Sequence, residues 1–70
     1  MIILIFAKII NSSLKEIHRI KYSNGSVVER IHSPGNPIPE DINIVMPNEQ
    51  PIQILNQEYQ AYCHHFNVQV

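Results

Sequence analysis

The stretch Leu14-Lys15-Glu16-Ile17-His18-Arg19-Ile20-Lys21-Tyr22-Ser23-Asn24-Gly25-Ser26-Val27-Val28-Glu29-Arg30-Ile31 sets an Asn-Gly pair between two segments rich in Ile, Val and Tyr. Asn tolerates positive φ and Gly adopts it freely, so Asn24-Gly25 predicts a two-residue type I′ hairpin turn, whose twist suits the flanking strands. That loop sets Tyr22 opposite Val27, Ile20 opposite Glu29 and His18 opposite Ile31 on one face, which is taken as the inward one. The other face then carries Arg19 opposite Arg30, Lys21 opposite Val28 and Ile17 opposite His32, with Lys15 further along.

Four of the five Lys and Arg residues, namely Lys15, Arg19, Lys21 and Arg30, are thereby expected on a single sheet face. Like charges directly opposite one another cost about a few tenths of a kcal/mol, so Arg19 facing Arg30 calls for an acidic partner or an anionic small molecule such as a nucleotide. The bland alternative is a solvated face on which the arginines splay apart. A second reading competes for the first half of the hairpin. Ser13 and Glu16 have the spacing of a helix-capping box, and Leu14, Ile17 and Ile20 recur at helical intervals. A helix from Leu14 to Tyr22 would dissolve the basic face.

Upstream, Met1 to Ile10 is the most apolar run. It lacks a basic residue ahead of it and a small-residue cleavage pattern after it, and it is far shorter than the roughly 20 residues that span a bilayer. It reads as a strand with Ile3, Ile5, Ala7 and Ile9 on one face and Ile2, Leu4, Phe6 and Ile10 on the other, broken only by Lys8. Such a strand needs cover on both sides. With a single candidate helix in the chain, Ile3, Ile5, Phe6 and Ile9 are therefore the expected contact surface of a homo-oligomer.

Downstream, the loop from His32 to Asp41 contains Pro34, Pro37 and Pro39 and suits an irregular connection. Ile42 to Met46 forms a short strand, and Pro47 marks it as an edge. Ile52, Leu55, Tyr59, Tyr62 and Phe66 then recur at spacings of three and four, the stripe of an amphipathic helix opened by Pro51. Phe66, Val68 and Val70 alternate with polar residues and suggest a last short strand.

The expected fold is α+β: an antiparallel sheet of three to five strands with a central hairpin, and one C-terminal helix packed on one face. Residues 1–70 form one domain, because 70 residues with 44% hydrophobic and 16% charged content hold one core. One cysteine excludes an internal disulfide and makes a reducing, cytoplasmic compartment the default. A net charge of −1 argues against a dedicated nucleic-acid binder. Cys63-His64-His65 is a run of metal-ligand types, but consecutive helical residues point about 100° apart, so no metal and no cofactor is expected. No spaced nucleophile and base, glycine-rich phosphate loop or carboxylate pair is evident, so an enzyme is not expected.

The functional expectation is a small non-catalytic binding protein that self-associates and blocks or sequesters a host component, in the manner of phage and mobile-element inhibitors. Its Ile- and Asn-rich composition fits an AT-rich coding genome. The alternatives are a module that holds a nucleotide or other phosphate compound on Lys15, Arg19, Lys21 and Arg30, and a structural subunit of a larger assembly.

Overall fold

The computed structural model describes residues 1–48 and 56–68. Four strands follow one another as an antiparallel meander: β1 (Ile2–Ile10), β2 (Ser13–Lys21), β3 (Val27–His32) and β4 (Asp41–Met46). One helix, α1 (Asn56–Phe66), completes the α+β fold. The segment that also fits a helical pattern is strand β2. Pro51, Ile52, Leu55 and Val70, which figure in the predicted helix and last strand, lie outside the described residues.

Two turns set the register. Between β1 and β2, Asn11 (φ 50°) and Ser12 (φ 65°) form a two-residue loop with both centres left-handed, the geometry of a type I′ turn. The second turn differs from the predicted one. Tyr22 N donates to Ser26 O at 2.9 Å and Gly25 N to Tyr22 O at 3.1 Å, so the loop holds three residues, Ser23-Asn24-Gly25. Gly25 alone takes positive φ, at 93°, as in a type I turn closed by a glycine bulge. The Asn24 side chain accepts from Ser26 N at 3.0 Å and fixes the bend.

One extra loop residue moves the partner of every β2 residue by one, which turns β3 over. Ile20 pairs with Val28, His18 with Arg30 and Glu16 with His32 on one face; Lys21 pairs with Val27, Arg19 with Glu29 and Ile17 with Ile31 on the other. The expected pairs Tyr22–Val27, Arg19–Arg30 and Ile17–His32 are thus corrected. For β2 the inward set is as expected, whereas on β3 it is Val28, Arg30 and His32 that turn inward.

Helix α1 covers this inward face. Tyr62 and Cys63 are buried against Ile20, Tyr22 and Val28, with Ile3, Tyr59, Phe66 and Val68 packed around them. Burial of such side chains contributes roughly 1.5–3 kcal/mol each. The helix ends in a Schellman motif, with Asn67 at φ 56° and Val68 N donating to Cys63 O at 2.8 Å, which satisfies a terminal carbonyl. Val68 is therefore a helix cap against the core, and neither Phe66 nor Val68 lies in the expected last strand. On the opposite face Ile17 is only 2% exposed, between its register neighbours Phe6 and Ile31.

The two turns respond oppositely to glycine. Gly25→Ala puts a Cβ at a left-handed position and is expected to cost about 1–2 kcal/mol, whereas Ser12→Gly relieves a similar penalty and should stabilise by about 1 kcal/mol. Urea unfolding of the two variants measures both signs.

Candidate functional site

The basic residues do not assemble as one patch. Arg19 lies opposite Glu29, Nε to Oε2 3.9 Å. Lys15 bonds Glu40 at 3.0 Å, and Ser33 Oγ donates to the same carboxylate. Lys21 stands on the outer face beside Val27. Arg30 is turned the other way, 5% exposed beneath the helix. Its guanidinium donates to the Tyr22 hydroxyl at 2.9 Å and lies 5.0 and 4.7 Å from the ring centres of Tyr59 and Tyr62. Stacking on aromatic faces attracts a cation and covers the carbon stem at once. Tyr59 and Tyr62, three apart on one helical face, are the signal that would have placed Arg30 inside.

The same register brings together groups that the predicted one kept apart. His18 and His32 were expected on opposite faces; they stack with ring centres 4.0 Å apart, and Phe66 closes over His18 at 4.5 Å. A hydrogen-bonded chain runs through both. His32 Nδ1 meets Asn36 O at 3.0 Å, His32 Nε2 meets the Tyr62 hydroxyl at 3.2 Å, that hydroxyl meets His18 Nδ1 at 3.0 Å, and His18 Nε2 meets Glu16 Oε1 at 2.5 Å.

The chain's carbonyl end fixes its polarity at His32. A carbonyl only accepts, so His32 donates from Nδ1 and, being neutral, accepts at Nε2 from Tyr62 O–H. The Tyr62 oxygen in turn bonds His18 Nδ1, and His18 Nε2 bonds the Glu16 carboxyl, so His18 bridges the helix tyrosine and its own strand. Burial, reinforced by the neighbouring His18, holds His32 below the usual imidazole range. Burial also raises the Tyr62 hydroxyl far above its usual range, so it stays a donor.

The ring nitrogens of His18 and His32 and the Tyr62 hydroxyl are thus engaged with other protein groups, while Glu16 is partly exposed. Glu16 and His18 line a cleft of about 310 Å³ with Gly35, Asn36, Pro37 and Phe66. Among the described residues no three His, Cys, Asp or Glu side chains converge on a metal-sized space. In the Cys63-His64-His65 run, Cys63 is buried while His64 and His65 are exposed. No helix among the described residues is long and apolar enough to cross a membrane.

Apolar side chains stand exposed on both edge strands, on β4 at Ile42, Ile44, Val45 and Met46 and on β1 and its surroundings. Ile2, Leu4 and Ile9 are 68, 56 and 64% exposed, and Met1, Ile5 and Leu14 are close to half exposed. Of the expected contact residues, Ile5 and Ile9 are exposed on the helix side of β1, Ile3 is partly covered there, and Phe6 is partly covered on the other side. No family model, curated protein or solved structure matches this chain.

Placement of the two arginines separates their mutational effects. Arg19→Glu changes an exposed position and should alter stability by about 0.5 kcal/mol, while Arg30→Glu buries an uncompensated anion and should cost about 3 kcal/mol or more, as read by thermal unfolding.

Acid should weaken the fold through His32. Its pKa is depressed in the folded state, so below about 6.5 the unfolded chain binds the proton first. The contribution is complete above that pH and is lost as the pH falls, by at most about 1.4 kcal/mol per pH unit. Around His32 stand His18, Glu16, Arg30 and Tyr62, and none supplies a carboxylate directly bonded to it. Unfolding free energies between pH 7.5 and 5.5 measure the slope, which His32→Gln should flatten.

Proposed function

We propose that this chain is a small non-catalytic interaction protein that works as a homo-oligomer and acts on other molecules by occupying their surfaces. The observation that carries this reading is β1, a nine-residue strand apolar on both faces and mostly exposed. Ile2, Leu4 and Ile9 are more than half exposed and Ile5 close to half, and exposed apolar surface gathered in one place commonly marks an interface.

The polar groups that the fold gathers support the same reading. Glu16, His18, Tyr62 and His32 bond one another, and Arg30 is held by three tyrosines. These bonds tie the helix to the sheet. The protein would then exert its effect by contact, as an inhibitor-like binder does.

Sedimentation equilibrium tests the assembly. The chain should sediment as an oligomer at micromolar concentration, and Ile5→Glu, a change at an exposed position, should shift it to monomer with its circular dichroism retained. A monomeric wild-type chain at 100 µM, on the order of a hundred-thousandfold above a nanomolar dissociation constant, would refute the proposal.

A further inference from the structure

We infer that two copies of this chain join by pairing β1 with β1 antiparallel about a two-fold axis at Phe6, making one continuous eight-stranded sheet. The inference rests on the self-associating reading above and specifies its contact.

The two-residue loop at Asn11-Ser12 makes Ile10 and Ser13 a hydrogen-bonded pair, and in an antiparallel ladder such pairs alternate. With the observed register, Leu4, Phe6, Lys8 and Ile10 therefore spend their backbone groups on β2. Ile3, Ile5, Ala7 and Ile9 point theirs at the free edge. No described strand pairs with that edge.

The other sheet edge is guarded. β4 is six residues long, is bracketed by Pro39 and Pro47, begins with Asp41 and carries a bulge where Val27 pairs with Met46 but Val28 with Ile44. Short length, proline, charge and bulges are the devices that protect edges from pairing. β1 has none of them except Lys8.

A second copy fits this edge by symmetry. A two-fold at Phe6 sets Ile2 against Ile10, Ile3 against Ile9, Leu4 against Lys8 and Ile5 against Ala7 of the other strand, so all nine residues find partners. Lys8 meets Leu4, which avoids opposing like charges. Ile5 lies beside the small Ala7, and the two Phe6 rings adjoin across the axis. The four hydrogen-bonded pairs, Ile3 with Ile9 and Ile5 with Ala7 each taken twice, exchange about eight bonds, within the roughly 10 ± 5 of a specific interface. The exposed side chains at this edge, Ile2 and Leu4 on one face and Ile5 and Ile9 on the other, would each gain a cross-strand neighbour from the second copy. Pairing β1 with β4 of another copy would instead leave free edges at both ends and grow without closing.

Amide exchange on the unmodified chain tests the contact. In the pair, Ile3, Ile5, Ala7 and Ile9 amides should be protected along with Leu4, Phe6 and Lys8, and that protection should fade on dilution. Phe6→Cys should form an intermolecular disulfide under mild oxidation, because facing non-hydrogen-bonded residues lie about 4.5 Å apart. Leu4→Cys should not, its symmetry mate lying about 13 Å along the strand. An oligomer by sedimentation in which the Ile3, Ile5, Ala7 and Ile9 amides exchange freely overturns this contact and leaves the self-associating reading standing. So does a mass that keeps rising with concentration. A monomer overturns both.

Discussion

Gly25 sets the parity of the sheet. Its left-handed backbone closes a three-residue loop, and that single count decides which half of β3 faces the helix. Because side chains alternate strictly along a strand, no intermediate arrangement exists. With the loop at three residues, Val28 joins Ile20 in the core and Arg30 and His32 follow it inward. With two, Glu29 would lie under the helix and Arg30 would stand in solvent. The loop is thus the local feature on which the polar interior depends.

Burying Arg30, His18 and His32 is expensive unless each is paired. Helix α1 meets that demand with Tyr59 and Tyr62, and β2 meets it with Tyr22 and Glu16. Tyr62 is central because its hydroxyl serves both imidazoles while its ring lies against the guanidinium. Apolar contacts alone would tolerate small slides of a short helix, but hydrogen bonds lose strength steeply with misalignment. The polar chain therefore fixes the position of α1, and the apolar cluster beside it supplies most of the stabilisation.

Much of this fold is legible in the sequence. The continuous apolar run of β1, the Asn-Gly turn position, the proline-bounded β4 and the spacing of Tyr59, Tyr62 and Phe66 each state a local preference that the structure keeps. What the sequence leaves ambiguous is the count of loop residues, since Asn-Gly serves both a type I′ turn and the last two places of a type I turn with a bulge. The reading as two residues gathered Arg19 and Arg30 on one face. The three-residue loop sets Arg19 against Glu29 and gives His18 and His32 a common face, pairings more favourable than those of the two-residue loop. Their contact with Tyr62 spans 44 and 30 residues, and no short-range pattern encodes it.

The exposure of β1 follows from size. Four strands at about 4.8 Å spacing make a sheet roughly 14 Å wide between its outer strand axes, and a single helix of about 10 Å diameter cannot cover it. The helix sits over β2 and β3, where its tyrosines find Arg30 and the histidines, and from β1 only Ile3 joins the cluster. Moving α1 toward β1 would cover Ile5 and Ile9 but strip the aromatic faces from Arg30, exchanging exposed apolar surface for a buried unpaired cation. The second is the more costly, so the helix stays over the polar pair. A chain of this size that places charge in its core then keeps an apolar strand at its edge.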